Sequence, residues 1–307
     1  MKKIVITGAT SSLGTALIDE CIRQNIKVLA LVNPNSMNIK RITVHPLVTI
    51  QECELTNLTQ YECNGKFDAF IHLAWGATHG EAARNQYEPQ VQNIQYCLDA
   101  VKLAERLGCE VFVGAGSQAE YGRTNEILTE KTATNPETPY GIAKLCAGQM
   151  TRLMCREKGI RHIWPRILST YGPRYTPDTV INYTINELLR GNVPVLSGGD
   201  QIWDFIFSED VAKALYLLAE KGHDGEVYVI GSGHSEPLKN YLYKVRDIID
   251  PKLQLGLGQK PYSSNAVMHL ACDISKLTND TGFYPSVSFE DGIVKTIEWN
   301  KANYIGV

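Results

Sequence analysis

The fold of this chain is decided near its start by the stretch TGATSSLG, residues 7–14. A β-branched run at residues 4–6 precedes it and predicts a strand, whereas the apolar residues after it recur at helical spacing. Gly8 permits a tight turn, and Gly14 allows the helix to pack close to the strand. Such a turn presents the free backbone donors of a helix N-terminus, which suit a pyrophosphate group. The stretch therefore predicts the first βα unit of a nucleotide-binding sheet.

The rest of the first half alternates short apolar runs with amphipathic segments. Their periodicity predicts further strands at residues 27–32, 48–55, 68–74, 110–113 and 161–167, and helices at 91–107 and 140–157. Strands that alternate with helices imply a parallel sheet covered on both faces. After residue 173 the alternation weakens. We therefore expect an α/β doubly wound parallel sheet that binds a nucleotide over residues 1–170. A smaller substrate lobe over 171–307 would follow, with some of its segments returning to the sheet.

Composition narrows the class of protein. The 307 residues are 44% hydrophobic and 21% charged with a net charge of −3, and no basic run suggests a nucleic-acid or membrane surface. No apolar stretch approaches the roughly 20 residues that cross a bilayer, and the start does not resemble a signal peptide. The eight cysteines form no C-x-x-C pair. We expect reduced thiols, no metal and a cytoplasmic location, with a catalytic thiol or zinc site as the alternative.

The glycine stretch resembles the T-G-x-x-G-x-x-G loop of extended short-chain dehydrogenases/reductases, which have the Rossmann fold. Ser11 replaces the middle glycine, so either the loop shifts or the hydroxyl bonds a phosphate oxygen. The segments CEL at residues 53–55 and IHLAW at 71–75 also match the family's cofactor contacts, and His72 would be structural. The resemblance implies cofactor contacts from Gly8, Thr10, Ser11, Ser12, Leu13, Gly14, Asn33, Glu54, Leu55, Leu73, Ala74, Trp75, Asn93, Tyr140, Lys144 and Ile167.

The end of the second strand bears on the choice of cofactor. It reads LVNPNS at residues 31–36, with Lys40 and Arg41 beyond. Family members that prefer NAD carry an acidic residue here, which bonds the adenosine ribose. Without a carboxylate to repel a 2′-phosphate, NADP is favoured over NAD. The alternative is that Lys40 and Arg41 are a solvated surface pair.

A second pattern identifies the expected catalytic residues. GSQAEYG at residues 116–122 follows the fifth strand, and PYGIAK at 139–144 begins a helix. Tyr140 and Lys144 are four residues apart, on one helical face. The family resemblance implies that Ser117 polarises the substrate oxygen and that Tyr140 exchanges the proton that accompanies hydride transfer. Lys144 would lower the pKa of the tyrosine and bond the nicotinamide ribose.

Further segments resemble the nucleotide-sugar epimerase, dehydratase and reductase branch of that superfamily. These are RILSTYGP at residues 166–173, DFIFSEDV at 204–211 and DISKL at 273–277. The 4,6-dehydratases place Asp-Glu directly after the strand-5 hydroxyl, to remove water. Gln118 and Ala119 stand there and cannot do so. Glu120 follows, and we expect it to be structural or to orient the substrate.

Two positions favour one reaction within the branch. UDP-sugar epimerases usually carry Asn and Arg where this chain has Ser169 and Trp203. Together with AWGATHG at residues 74–80, Trp203 resembles the reductases of 4-keto-6-deoxy sugar nucleotides, although Trp75 and Trp203 are equally consistent with core aromatics. We expect a 4-ketoreductase that uses NADPH. A 4-epimerase with retained NAD(P) is the alternative, and a non-catalytic cofactor-binding protein the distant one.

The same resemblance sets expectations for the substrate contacts and for assembly. The branch commonly forms homodimers through the helices that follow strands 4 and 5, so we expect a homodimer with a nucleotide sugar as its ligand. The residues expected to contact this substrate are Trp75, Thr78, Ser117, Glu120, Ser169 and Trp203.

Overall fold

The computed structural model describes residues 1–78 and 80–305. His79, part of the reductase-like segment, lies outside the described residues. The strands are β1 Lys3–Thr7, β2 Lys27–Val32, β3 Val48–Glu52, β4 Ala69–His72, β5 Val111–Gly114, β6 Gly116–Ser117, β7 Arg161–Ile167, β8 Ser169–Tyr171, β9 Ile202–Trp203, β10 Phe205–Phe207, β11 Glu226–Ile230, β12 Glu236–Pro237 and β13 His269–Leu270. The α-helices are α1 Ser12–Arg23, α2 Gly80–Arg84, α3 Tyr87–Arg106, α4 Pro139–Glu157, α5 Val180–Leu189, α6 Ser208–Lys221, α7 Leu238–Ile249, α8 Ser275–Thr281 and α9 Phe289–Asn300.

The main sheet is parallel, in the order β11-β7-β5-β4-β1-β2-β3, and β6 pairs with β7 beside this path. The chain runs outward from β1 to β3 on one side and then continues from β4 on the other. Ligands of such sheets bind at this reversal, beyond the carboxyl ends of the strands. The α/β Rossmann fold expected from the sequence is confirmed.

Alternating side chains explain why the strands are apolar throughout. Ile4 and Ile6 of β1 lie in the core that includes residues of α1 and α6, whereas Val5 lies in the core that includes residues of α3. β4 and β5 repeat the pattern, since Phe70 and Phe112 point to the α3 side and their neighbours to the other. A strand that is buried on both faces carries apolar side chains on both of them, as is usual in parallel sheets.

The second half of the chain builds a separate core beside the sheet. Tyr171, Phe205 and Tyr241 pack with apolar residues of α5 and α9. Two small sheets, β8 with β10 and β9 with β12 and β13, connect this core to the main sheet's carboxyl edge. The strand β11 comes from the same half and pairs with β7.

Helix starts determine where several site residues lie. α3 begins at Tyr87, four residues before the predicted start, because Pro89 falls in its first turn, where a missing N–H costs no hydrogen bond. α4 begins at Pro139 with Thr138 as its N-cap, whose hydroxyl accepts from the Gly141 N–H at 3.1 Å. Tyr140 is therefore fixed in the first turn of α4. In the part of the chain that the structure describes, no helix is both long and apolar enough to span a bilayer.

Candidate active site

The glycine stretch forms a tight loop between β1 and α1. Gly8 has φ +70°, and a Cβ there would come 2.7 Å from the Ala74 backbone nitrogen. A Cβ on Gly14 would collide with the Gly8 carbonyl oxygen. Both positions therefore require glycine, and the first two residues of α1, Ser12 and Leu13, line the cavity. This cradle fits a dinucleotide pyrophosphate.

The Ser11 side chain caps the start of α1, which the sequence did not predict. Its hydroxyl accepts a hydrogen bond from the Gly14 N–H at 3.0 Å and so caps α1. The backbone at Ser11 is extended, with φ −73°, so a side chain is accommodated without strain. The serine hydroxyl caps the helix as an acceptor and keeps its own O–H as a donor, so its bond to a phosphate oxygen stays a prediction.

A cavity of about 1130 Å³ joins the nucleotide loop to the start of α4. Of the expected contacts, Thr10, Ser11, Ser12, Leu13, Leu73, Thr78 and Tyr140 line it. The other expected cofactor contacts lie in the structure around the cavity and not among the described residues that line it: Gly8, Gly14, Asn33, Glu54, Leu55, Ala74, Trp75, Asn93, Lys144 and Ile167.

The structure brings Ser117 and Tyr140 together. The Ser117 side chain lies close enough to Tyr140 to lower the pKa of the phenol, and its Oγ accepts from the Ala119 N–H at 3.2 Å. Burial raises the pKa of Tyr140 above its ordinary value, and the Ser117 side chain and the charge of Arg84 oppose that rise. The cation expected to lower this pKa was Lys144. The sequence analysis did not single out Arg84, because nothing in its local pattern places it beside the tyrosine.

Lys144 is buried, with 4% of its surface exposed. Its ammonium donates to the Ala115 carbonyl at 2.7 Å and lies 3.6 Å from the centroid of the Trp75 ring. Burial lowers the pKa of Lys144 to about 8. The ammonium is therefore held by one carbonyl and one aromatic face, next to the tyrosine four residues earlier.

Trp75 supports Lys144 and does not line the cavity. The Trp75 and Tyr140 rings meet edge to face at 6.0 Å, and the indole Nε1 donates to the Gln90 Oε1 at 2.8 Å. Gln90 is buried in α3 and donates in turn to the Ala77 carbonyl at 3.0 Å. The expectation that Trp75 contacts cofactor or substrate directly is replaced by this supporting position. Gln90 was missed because a single polar residue on a helix gives no sequence signal.

Asn93, one turn further along α3, fixes the loop after β4. Its amide oxygen accepts from the Gly76 N–H at 2.8 Å, and its amide nitrogen donates to the Gly76 carbonyl at 3.0 Å. Both polar atoms of the side chain are thereby used by the protein backbone, and Asn93 is buried. The family resemblance implies an asparagine here that bonds the backbone near the active site, and Asn93 does so; its direct contact with the cofactor stays a prediction.

Glu120 cannot contact substrate as expected. It has no exposed surface, and its carboxylate accepts from the Ser117 N–H at 2.8 Å. Trp164 Nε1 and Arg166 Nε donate to the same carboxylate at 3.0 and 2.7 Å. A buried carboxylate with these three donors is fully engaged. Its position is structural, and it fixes the backbone of Ser117.

The two positions that favoured a reductase lie away from the cavity. Ser169 in β8 and Trp203 in β9 are not among the described residues that line it, whereas Thr170 is. The Trp203 indole packs against Phe205, with ring centroids 6.4 Å apart, in the core of the second half. Stacking of Trp203 on the nucleotide sugar stays a prediction that the described cavity lining does not support.

The loop after β2 leaves the adenosine end of the site without a carboxylate. Asn33 is exposed, and its Oδ1 accepts from the Asn35 N–H at 2.9 Å. Arg41 lines the cavity and donates to the Arg174 carbonyl at 3.3 Å, while Lys40 is exposed and does not line it.

The pKa of Lys144 leads to a prediction about dinucleotide binding. Because that pKa is about 8, the ammonium is present at pH 7 and is lost as the pH rises through 8. Affinity for NAD(P) should then fall about tenfold between neutral and clearly alkaline pH, since a charge-assisted hydrogen bond disappears. Fluorescence titration at a series of pH values measures this. Lys144→Met should bind weakly at every pH, and a wild-type affinity that does not change with pH would contradict the prediction.

Comparison with known proteins agrees with this geometry. The model of the NAD dependent epimerase/dehydratase family matches residues 4–231. A dTDP-glucose 4,6-dehydratase of Escherichia coli is 34% identical over 188 residues, which cover 59% of this chain and 52% of that enzyme. Matches to this and three similar dehydratases span about half of each relative. An uncharacterized UDP-glucose epimerase of Bacillus subtilis, YtcB, is 25% identical and covered over 99% of both chains.

Solved structures cover the chain more completely. A UDP-N-acetylglucosamine 4-epimerase from Methanobrevibacter ruminantium M1, in complex with UDP-N-acetylmuramic acid, superposes with a TM-score of 0.88 at 25% identity, over 98% of both chains. A UDP-glucose 4-epimerase from Thermotoga maritima gives 0.84 at 22% identity over 98% of this chain and 99% of that one, which shows the shared fold. The expected resemblance is confirmed: the chain belongs to the NAD-dependent epimerase/dehydratase family, in the nucleotide-sugar branch of the extended short-chain dehydrogenases/reductases.

Proposed function

We propose that this chain transfers hydride reversibly at carbon 4 of a nucleotide-bound sugar without loss of water, and that its net reaction is 4-epimerisation. The observation that carries the proposal is the makeup of the cavity beside Tyr140. Gln118 and Ala119 line the cavity at the two positions where a dehydratase needs its acid and base. The next carboxylate, Glu120, is buried and paired with Arg166. The site therefore has a tyrosine that can exchange a proton, and neither of the two positions after Ser117 carries a carboxylate to remove water.

When bound, the nicotinamide supplies the hydride acceptor and donor. Ser117 and Tyr140 would both bond the oxygen on the reacting carbon. Tyr140 takes the hydroxyl proton as the sugar is oxidised and returns it to the keto oxygen as the sugar is reduced. The nearby positive charge of Arg84 favours the phenolate that forms between these steps. Epimerisation also requires the keto sugar to turn while its diphosphate stays anchored.

The position of Trp203 weakens the sequence argument for a ketoreductase. A ketoreductase was favoured because Trp203 stands where epimerases carry Arg, but Trp203 is not among the described cavity residues. Arg123 and Arg174 do line the cavity and are the candidate anchors for a diphosphate, although Glu137 and Asp19 pair with them. The NADPH-dependent 4-ketoreductase remains the second candidate. The missing carboxylate after β2 favours it, because an exchangeable NADPH suits a net reduction.

Hydride stoichiometry separates the two reactions. We expect a UDP-hexose and its 4-epimer to interconvert with no net change in the absorbance of reduced nicotinamide. Chromatography of the sugar nucleotides and parallel absorbance readings measure both quantities. If a 4-keto-6-deoxy sugar nucleotide instead consumes NADPH in proportion to substrate, and no epimer forms, the ketoreductase replaces the epimerase.

Removal of one hydroxyl tests the role proposed for Tyr140. Tyr140→Phe keeps the ring against Trp75 but removes the proton, so kcat should fall about 10²–10⁴-fold with cofactor affinity nearly unchanged. Tyr243→Phe, on the partly exposed side of α7, is the matched control and should retain full activity. Near wild-type turnover in Tyr140→Phe would place the acid/base group elsewhere.

We propose NADP as the preferred cofactor, although the family is named for NAD. Arg41 in the cavity and the absence of a carboxylate at residues 33–41 support a 2′-phosphate site. Asn33→Asp should shift preference toward NADH, because a fixed negative charge repels the phosphate. Equilibrium titration with NADPH and NADH measures the ratio of affinities, with Asn64→Asp, exposed before β4, as control. Tighter wild-type binding of NADH would contradict the assignment.

We further propose a homodimer through α3 and α4, which pack side by side. Ile142, Met150 and Leu153 of α4 are exposed by 55%, 43% and 49%, and fall on one helical face. Tyr87 and Val91 continue the apolar surface on α3. Such a surface suits a second copy of the same chain. Met150→Glu combined with Leu153→Glu should yield monomers by light scattering, whereas Val294→Glu on α9 should not, and a monomeric wild type would contradict the proposal.

We also propose which part of the chain binds the cofactor and which binds the substrate, and in which cell compartment the protein acts. Residues 1–170 would hold the cofactor and residues 171–307 the nucleotide of the sugar, with Arg174 and Thr179 reaching the shared cavity. Hydrogen exchange with each ligand separately should protect the two parts differently.

All eight cysteines are free thiols, which suits the reducing cytoplasm. Fractionation of the native cells would test that location.

A further inference from the structure

Arg84 is the arginine of the cavity that lies beside the Tyr140 ring. It ends α2, is exposed and lines the cavity beside Tyr140. Its guanidinium carbon lies 5.3 Å from the centroid of the Tyr140 ring. The Arg84 Nε donates to the Thr78 carbonyl at 2.9 Å, so one edge of the guanidinium is held by the backbone. The remaining N–H donors are left for a ligand next to the tyrosine.

The other arginines of the cavity have their charge or donors engaged by the protein. Arg123 forms two hydrogen bonds with Glu137, at 2.7 and 3.0 Å. Arg174 pairs with Asp19 at 3.4 Å, and Arg41 donates to a carbonyl and stacks on Trp299. Arg84 has no ion pair with any described carboxylate. Among the side chains that the structure describes, no carboxylate balances this positive charge at the point where the reaction would occur.

The geometry of the substrate limits which of its groups can lie near the Arg84 guanidinium. If the Tyr140 hydroxyl bonds the oxygen on carbon 4, the sugar groups nearest to the Tyr140 ring are those on the flanking carbons 3 and 5. The nucleotide diphosphate is attached to carbon 1, across the pyranose ring. A guanidinium with two free donors matches a planar carboxylate better than a hydroxyl, because it forms two parallel charge-assisted hydrogen bonds.

We propose that Arg84 binds a carboxylate on carbon 5 of the sugar, and that the preferred substrate is a nucleotide-linked hexuronic acid. The proposal rests on the function proposed above, since it uses the sugar pose that hydride transfer at carbon 4 requires. In that pose the acidic sugar neutralises the charge that the cavity leaves open. A neutral hexose would leave the same charge unpaired beside the reacting carbon.

The test compares two substrates that differ only at carbon 6, UDP-glucuronic acid and UDP-glucose. Wild type should epimerise the acid with a kcat/KM at least about tenfold higher. Arg84→Met should lower kcat/KM about 10–100-fold more for the acid than for the neutral sugar, because any effect of Arg84 on Tyr140 is common to both substrates. Arg84→Lys should recover part of the loss, since it restores charge without the planar fork. Arg190→Met, exposed and remote from the described cavity lining, is the matched control.

Two kinetic outcomes would overturn the proposal. An equal loss on both sugars would mean that Arg84 contacts the shared diphosphate or only supports Tyr140. A wild type that prefers the neutral sugar would mean that the site does not select a carboxylate.

Calorimetric binding separates this proposal from the proposed function. If neither sugar is turned over, the proposed epimerase activity fails, yet the relative affinities can still be measured. Tighter binding of UDP-glucuronic acid than of UDP-glucose, lost in Arg84→Met, would support the carboxylate site on its own. Equal affinity, or binding of neither, would overturn it.

Discussion

A buried ion pair holds the centre of this protein together. Glu120 and Arg166 meet at 2.7 Å, and their side chains are 0% and 5% exposed. A charge so far from water is tolerable only when paired, and removing one partner of such a pair typically costs about 3–5 kcal/mol. The same carboxylate accepts from the Ser117 N–H. The position of the serine hydroxyl beside Tyr140 therefore depends on this pair, although neither charged residue reaches the cavity.

Around this pair the site is assembled from elements that are distant in sequence. β6 carries Ser117, α4 carries Tyr140 and Lys144, and α3 supplies Gln90 beneath the Trp75 indole. Under the proposed function, the chemistry of two cavity positions, Gln118 and Ala119, separates the chain from the dehydratases that it resembles in sequence. The reaction depends on the few side chains that face the sugar.

The sequence was sufficient for features that depend on local geometry. The glycine loop, the alternation of strands and helices, and the Tyr140–Lys144 spacing follow from backbone sterics and helical periodicity, and the structure shows the expected elements. It was insufficient where tertiary packing decides which way a side chain points. Trp75 turned to the lysine, Trp203 to the core and Glu120 to an arginine 46 residues away. Arg84 was overlooked because its importance comes only from its distance to Tyr140.

The serine in the glycine loop has a consequence for recognition. A glycine at this position would leave the loop free to sample many backbone conformations, each of which must be given up when a ligand is bound. Ser11 restricts that freedom and ties the turn to the first helical residues through its own hydroxyl. Less conformational entropy then remains to be lost on association, which is how preorganisation raises affinity without adding a contact. The nucleotide loop is therefore rigid in advance, and its shape is a property of the free protein.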